Sequence, residues 1–394
     1  MSGIGLKLLA LFLFVISMFP MLSTDMYLPA LPTVAAELHT TDAQANVTLI
    51  AFFVGFGVFT LIWGPLSDKY GRRPVLIVGF LLYTAGSVVC ALSGSITAMI
   101  ASRVLQGVGS GSGTAVSGAI VMDVYTGRKQ EGMFAAIQSM TMVGPVVAPI
   151  LGAGIISFAG WRGVFFGQAA IGVAVIIGAL FFKETLREKN DCGVIRTIAR
   201  LGVLMRHGRF AVIVILFSLP SMAVISYVSA SPYIFQDGFG FSYVKYSVFF
   251  AACAVGSIIA PAIYMIVSRK LRRNGIVAAV FSGIAVVGAL DFFFGEASPW
   301  HFAALMFLLG VFCSGSRPPG AYIVMNYHEG DAGSASSLLG SVTIFSNLFG
   351  IAAVTLYSRY ILSIGIIALA VGIVGVALWL VVARGLREDK ENRI

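Results

Sequence analysis

The stretch GPLSDKYGRRP, Gly64 to Pro74, decides how this chain folds. It carries Asp68, Lys69, Arg72 and Arg73, and it separates one apolar run that starts near Ala43 from another that starts at Val75. Each run has roughly 20 residues, the length of helix that crosses a hydrocarbon core of about 30 Å. A short charged loop between two such runs predicts a pair of membrane-spanning helices.

The composition extends this prediction to the whole chain. Of 394 residues, 58% are hydrophobic and 11% are charged, and the mean hydropathy is +0.94. A water-soluble globule of this size needs more polar surface, so we expect an all-α membrane protein with many spans. The first run, which follows Lys7, is similar to a signal peptide in its charge and apolar length, but more membrane segments follow it. We therefore expect it to be retained as the first helix.

About twelve spans are expected, and they fall into two groups of six. The most polar internal stretch, 183–209, separates an N-terminal half at 1–182 from a C-terminal half at 210–384, and a tail follows at 385–394. Shifting the sequence by about 203 residues lays Pro29 on Pro232 and Gly107 on Gly310. A repeat of six spans preserves orientation, which predicts two pseudo-symmetric halves with a central site. The expected spans start near Leu8, Ala43, Val75, Ala98, Met133, Gly163, Ala211, Tyr243, Ile276, Trp300, Gly333 and Ile361.

The positive charges indicate an orientation rather than a partner. A net charge of +9 suggests nucleic acid in a soluble protein, but here the basic residues gather in alternate loops. The positive-inside rule then places both termini in the cytoplasm, with the acidic loop Asn326 to Asp331 as the exception. The four cysteines and four histidines show no metal-ligand spacing, so we expect no metal and no cofactor.

Several motifs carry a resemblance to a known family. The loop with Gly64, Asp68, Gly71, Arg72 and Arg73 resembles the signature loop of the major facilitator superfamily (MFS). RVLQGVGSG from Arg103, GPVVAPILG from Gly144, DMYLP from Asp25 and SPYIFQ from Ser231 are similar to motifs of its Bcr/CflA-type drug antiporters. The resemblance implies a proton-coupled antiporter of the bacterial inner membrane that exports small molecules by alternating access. We expect a monomer whose partners are protons, cargo and lipid.

Two charged residues inside the spans are the candidates for proton coupling. Asp25 lies among apolar residues, which disfavour its charged form, so it is able to exchange a proton. The alternative is an interfacial carboxylate that ties down the outer end of the first helix. Arg103 begins a polar stripe with Gln106, Ser110, Thr114 and Ser117, and an arginine in a span costs about 3 kcal/mol. It either faces the interior and tunes Asp25, or snorkels to the outer surface.

The signature loop predicts a cytoplasmic gate. Asp68 lies one turn from Arg72, and Asp123 ends the fourth span at a similar depth, so the three side chains are expected to form a network. Gly64 and Gly71 complete this set, and Gly64 is expected to allow close helix approach. The alternatives are an ordinary polar loop and a solvated carboxylate at a helix end.

Small residues and prolines mark the fourth and fifth spans. Glycines at 107, 109, 111 and 113 follow no strand, so they predict helix contacts rather than a nucleotide site. Gly144, Pro145, Pro149 and Gly152 predict a bent or closely packed helix. By the resemblance, these four residues form an antiporter-type element.

Cargo contacts are expected from aromatic, methionine and polar side chains, which suit varied ligands. Arg317, which two prolines follow inside the tenth span, either lines the cavity, pairs with Asp25 or an anionic cargo, or reaches the cytoplasmic surface. For the other residues the alternative is core packing. The predicted cargo contacts are Tyr27, Gln106, Ser110, Met142, Tyr227, Tyr233, Arg317 and Tyr322.

These residues predict a transporter rather than an enzyme. No HExxH or GxSxG motif and no acid pair at helical spacing occurs in a span. The leading prediction is a proton-coupled exporter of drugs or toxic compounds. The alternative is a selective proton-coupled transporter of a metabolite or organic anion, because the two arginines inside the spans outnumber the one deep acid.

Overall fold

The computed structural model describes residues 3–186, 205–206, 208–325, 332–357 and 359–391. Within these ranges all regular secondary structure is helical. The first part of the chain forms α1 Gly3–Asp25, α2 Leu31–Glu37, α3 Asp42–Tyr70, α4 Arg72–Leu92, α5 Ile96–Val124 and α6 Arg128–Phe181. The second part forms α7 Gly208–Pro232, α8 Tyr243–Val267, α9 Arg273–Phe294, α10 Pro299–Gly315, α11 Arg317–Met325, α12 Ala332–Thr355 and α13 Tyr360–Glu391.

The helices confirm a membrane protein with many spans. Ten stretches of the described chain are long and apolar enough to cross a bilayer. Helix α5 is not among them although it has 29 residues, because its polar stripe dilutes its apolar content. One of the ten, Val143–Phe181, is 39 residues long and contains a break at Gly160, so it covers two crossings.

The fifth and sixth spans are joined without a loop, which the sequence did not predict. Gly160 has φ of 65° and ψ of −175°, a conformation that glycine reaches without a Cβ penalty, and it redirects the helix there. The adjacent residues fasten the turn. Trp161 Nε1 and Arg162 Nη1 donate to Glu37 Oε2 at 2.8 and 2.9 Å, so the break in α6 is tied to α2.

The chain divides into two compact units. Unit 1 comprises Met1–Ile198 and Phe241–Val248, and unit 2 comprises Ala199–Gly240 and Phe249–Ile394. Most of the predicted linker, residues 187–204 and 207, lies outside the described residues, as do the acidic loop 326–331 and the last three residues of the tail.

Helix α5 is the centre of unit 1, and its glycines bring two helices close. A Cβ at Gly107 would lie 2.1 Å from the carbonyl oxygen of Phe52 in α3. A Cβ at Gly109 would lie 2.4 Å from the backbone of Tyr83 in α4. Alternate glycines therefore hold α3 and α4 on two sides of α5, as their spacing predicted.

Helices α7, α9, α12 and α13 form the main packing of unit 2. Helix α7 packs on α12 and α13, and α9 packs on α13. A Cβ at Gly288 of α9 would lie 2.3 Å from the backbone of Leu369, so glycine again permits the contact. Helices α10 and α11 are separated at Ser316, immediately before Arg317 and its two prolines.

Candidate functional site

The Arg103 side chain lies in the interior of unit 1. It is fully buried, so the structure does not show the snorkelling alternative. Its Nη1 donates to the carbonyl oxygen of Ser23 at 3.2 Å and to Gln106 Oε1, and its Nε donates to the carbonyl oxygen of Thr48 at 3.4 Å. These bonds connect α5 to the last turn of α1 and to α3.

Aromatic rings surround the Arg103 guanidinium. Its Cζ lies 4.6 Å from the centroid of Phe52, 5.0 Å from that of Tyr27 and 5.9 Å from that of Phe165. Ring faces attract a cation and exclude water from it. Its Nη2 has no hydrogen-bond partner, and no carboxylate of the described residues forms an ion pair with it. The cation is held by carbonyls and rings rather than by an acid.

Gln168 extends this network to the second half of α6, and the sequence analysis missed it. Gln106 Nε2 donates to Gln168 Oε1 at 2.7 Å and to Ser87 Oγ at 2.8 Å. Gln168 Nε2 donates to the carbonyl oxygen of Ser23 at 3.3 Å. The signal was present, because a lone amide inside an apolar run needs partners once it is buried. The carbonyl oxygen of Ser23 therefore accepts hydrogen bonds from both Arg103 and Gln168.

Asp25 is the last residue of α1, two positions after Ser23. It is 4% exposed, and its Oδ1 accepts a hydrogen bond from Thr24 Oγ1 at 3.1 Å. It forms no ion pair with Arg103 or with another cation of the described residues. A negative charge here has a single hydroxyl to stabilise it. Proton binding removes that uncompensated charge.

The predicted gate residues Asp68, Arg72 and Asp123 come together at one end of unit 1. Arg72 Nε donates to Asp123 Oδ2 at 3.0 Å, and Arg72 Nη1 donates to Asp68 Oδ1 and, at 2.6 Å, to Ser67 Oγ. Arg72 is 5% exposed, although it opens a helix. One buried guanidinium thus joins the ends of α3, α4 and α5.

Glu184, just after α6, also belongs to this cluster and was missed. Its two carboxylate oxygens accept the backbone N–H groups of Arg72 at 2.9 Å and Arg73 at 3.1 Å, so it caps the start of α4. The missing side chain of Gly71 leaves space for the Glu184 carboxylate. The glycine has φ of 108°, and a Cβ there would lie 2.6 Å from Glu184 Oε2.

Gly64 does not have the packing role that the sequence suggested. A Cβ built on it meets no atom of the described residues within 4 Å, so no described helix of unit 1 approaches closely at this point. The expectation rested on the frequency of glycine at helix contacts, but this glycine faces open space. In contrast, a Cβ at Gly152 would lie 2.1 Å from the carbonyl oxygen of Met26, just after Asp25.

The segment that was predicted to form an antiporter-type element lies within α6, which continues through its prolines. Pro145 and Pro149 are both inside the helix. A Cβ at Gly144 would lie 3.0 Å from Met21 Cβ in α1. Gly144 and Gly152 are two turns apart on α6, so this helix packs along the end of α1 that carries Asp25.

The predicted cargo contacts differ in how exposed they are. Tyr27, Gln106 and Ser110 are fully buried in unit 1, where Tyr27 Oη lies 3.2 Å from Thr48 Oγ1. In unit 2 the ring of Tyr227 stacks on Phe250, and that of Tyr233 on Tyr360. Arg317 and Tyr322 are exposed. The Met142 side chain lies outside the described residues. A role in cargo binding remains a prediction for all eight.

A second buried carboxylate, Asp291 in the last turn of α9, was also missed. It is 1% exposed, and neither of its side-chain oxygens has a hydrogen-bond partner among the described residues. A Cβ on Gly295 would lie 2.4 Å from its Oδ1. Its position in a run of phenylalanines gave no motif by which to recognise it.

Comparison with known proteins identifies the family. The family model described as Major Facilitator Superfamily matches residues 13–300. The chain belongs to the Major Facilitator Superfamily. It is thus a transporter of the MFS fold, in a family whose members are generally not enzymes.

Curated members of the superfamily align along most of the chain. An uncharacterized MFS-type transporter, YdgK of Bacillus subtilis (strain 168), is 31% identical over 84% of this chain and 85% of its own length. Multidrug resistance protein MdtL of Escherichia coli O9:H4 (strain HS) is 28% identical over 92% of each chain.

Solved structures agree on the fold. A D-xylose-proton symporter superposes with a TM-score of 0.74 at 13% identity, over 94% of this chain and 97% of its own. A bacterial homologue of the human lysosomal transporter Spinster, in an inward-facing and occupied conformation, gives a TM-score of 0.75 at 14% identity over 98% of this chain and 97% of its own.

Proposed function

We propose that this MFS transporter is a proton-coupled exporter of small molecules, of the Bcr/CflA antiporter type, in the bacterial inner membrane. The observation that carries the proposal is Asp25, a buried carboxylate that lacks a counter-ion among the described residues and lies two positions after Ser23, whose carbonyl oxygen accepts Arg103 and Gln168. A membrane protein retains such a group at a cost, and a role in the transport cycle accounts for it. The similarity to MdtL supports drugs or toxic compounds as cargo.

In the proposed cycle Asp25 alternates between protonated and ionised forms. In the described arrangement α1 and α6 pack closely beside it, and a proton neutralises it. Opening toward the cytoplasm gives Asp25 access to water, and the proton leaves as cargo binds. The inward proton gradient then drives the return, because re-protonation from outside favours cargo release.

Arg103, Gln106 and Gln168 hold the backbone on which Asp25 sits. Ser23 O accepts from two of these residues, so a change in their hydrogen bonding shifts the last turn of α1. In the proposal the buried Arg103 charge also biases Asp25 toward ionisation once water enters. The network is thus the route by which cargo and proton affect each other.

The cluster around Arg72 is the proposed cytoplasmic gate. It ties the ends of three helices and the segment after α6 through one guanidinium. Rigid-body movement of those helices requires these bonds to break, so the cluster favours one conformation. The basic residues of this loop also support termini on the cytoplasmic side.

Transport into everted membrane vesicles tests the proposal. Vesicles from an efflux-deficient bacterium, energised by respiration, are challenged with ethidium, chloramphenicol and nalidixate while acridine orange reports the proton gradient. Wild-type protein is expected to take up at least one compound and to release protons with it. Asp25→Asn is expected to abolish this exchange while the protein still inserts in the membrane.

Asp291→Asn is the matched control, because it removes another buried carboxylate from the described spans. It is expected to retain exchange. Uptake that continues in Asp25→Asn with its dependence on the proton gradient intact contradicts the proposal, as does wild-type uptake that ignores the gradient.

A further inference from the structure

Arg317 is a charged group inside a membrane span that has no acidic partner among the described residues. It lies in the span Pro299–Met325, eight residues from the end. At a rise of about 1.5 Å per residue, that is roughly 12 Å along the helix. Its side chain is exposed, and it forms no hydrogen bond or ion pair with any residue that the structure describes.

The other charged side chains deep in the described spans are buried. Asp25 is 4% exposed, Asp291 is 1% exposed and Arg103 is fully buried. Arg317 is thus the exposed member of these four, and it is a cation. A ligand that enters meets a positive charge, whereas both carboxylates require the packing around them to open first.

The surroundings of Arg317 at the start of α11 are suited to water rather than to lipid. Pro319, Gly320 and Val324 are buried, and a Cβ at Gly320 would lie 2.6 Å from the ring of Phe217 in α7. Arg317 and Tyr322 are exposed at different angles around the helix, and the centroid of the Tyr322 ring lies 3.9 Å from the Arg273 guanidinium. An arginine facing hydrocarbon costs about 3 kcal/mol, so the exposed Arg317 side chain borders water.

The sequence also fixes the backbone at Arg317. Pro318 and Pro319 lack N–H groups and have a restricted φ, which sets the start of α11 at Arg317. Gly320 N donates to the carbonyl oxygen of Ser316 at 3.1 Å and closes the first turn. The backbone that carries Arg317 is therefore stiff, which limits the backbone part of the ordering cost of binding.

We propose that Arg317 recognises a negatively charged group, a carboxylate or similar anion, on the cargo. The guanidinium supplies donors that match a carboxylate in two-bond geometry, and they are free of protein acceptors in the described residues. This inference rests on the proposed transport function and narrows its cargo to organic molecules that carry an anionic group.

Binding of two ions of similar size and opposite charge tests this assignment. Equilibrium dialysis of purified protein in one detergent compares 2-naphthoate, a carboxylate, with 2-naphthylmethylammonium, a cation on the same ring system. Wild-type protein is expected to bind the carboxylate at least tenfold more tightly, which corresponds to about 1.4 kcal/mol. Arg317→Gln is expected to weaken carboxylate binding roughly tenfold and to leave ammonium binding unchanged.

Two further variants separate charge from structure. Arg317→Lys keeps the charge but not the two-bond geometry, so it is expected to bind the carboxylate more tightly than Arg317→Gln and more weakly than the wild-type protein. Arg359→Gln removes an exposed cation of unit 2 that pairs with Glu296 at 3.0 Å, and it is expected to change the binding of neither ion. Absence of saturable carboxylate binding, equal carboxylate binding by Arg317→Gln and wild-type protein, or a preference for the ammonium ion overturns the proposal. Proton exchange in vesicles is measured separately, so its loss counts against the proposed function alone.

Discussion

Replacement of Arg72 by glutamine tests the gate cluster. The Arg72 side chain is 6% exposed and bonds to Asp123, which is 19% exposed, and to Asp68, which is 43% exposed. A charge-assisted hydrogen bond at a buried site contributes roughly 1.5–3 kcal/mol. The bond to Asp68 contributes about 0–1 kcal/mol because water screens it. We therefore expect Arg72→Gln to lower the free energy of unfolding by about 2–3 kcal/mol.

Thermal unfolding of purified protein in one detergent measures this loss. For a unit of about 200 residues, it corresponds to a fall of roughly 4–12 °C in the unfolding midpoint. Arg73→Gln is the matched control. Its guanidinium donates to the carbonyl oxygen of Leu180 at 2.7 Å nearer the surface, so we expect a loss below about 1 kcal/mol.

A double substitution separates the ion pair from the loss of packing. If Arg72 and Asp123 interact as the distances indicate, Arg72→Gln combined with Asp123→Asn costs less than the sum of the two single changes, by about 1–2 kcal/mol. Strict additivity would refute this reasoning, and so would an Arg73→Gln protein that is as unstable as Arg72→Gln.

Two further perturbations examine the region around Asp25. Gly152→Ala places a methyl group 2.1 Å from the carbonyl oxygen of Met26, so we expect it to lower the free energy of unfolding by about 1–3 kcal/mol. Gly64→Ala has no such neighbour, so we expect its unfolding midpoint to be unchanged or slightly higher. A Gly64→Ala protein that is less stable than Gly152→Ala would contradict the packing. Gln168→Leu removes the amide bound to Ser23 and Gln106, so the pH profile of transport should shift, while Gln168→Asn retains part of the wild-type profile. An unshifted profile in vesicles would exclude a positioning role for Gln168.

The sequence predicted the helical membrane fold well because span length and composition are local properties. The runs on either side of Gly64–Pro74 became α3 and α4, and the spacing of Gly107 and Gly109 matched their contacts with α3 and α4. The continuous α6 was not predicted. A single glycine at 160 replaces the loop, and nothing in the local pattern distinguishes it from the other glycines of that run.

The site was predicted in part. The buried carboxylate Asp291 was not recognised from sequence, whereas Arg103, Asp25 and the gate residue Arg72 were. Their partners were not, because Gln168 and Glu184 reach the network only through the tertiary fold and carry ordinary polar side chains. The aromatic rings around Arg103 also come from α3, from α6 and from the segment between α1 and α2, which no spacing rule connects.

The release of protons from purified protein tests the central claim most directly. A compound that wild-type protein exports in vesicles is added to weakly buffered protein, and a pH indicator records the protons that leave. The account predicts release by wild-type protein and by Asp291→Asn, and none by Asp25→Asn. Equal release from wild-type protein and Asp25→Asn would contradict the assignment of Asp25 as the coupling carboxylate.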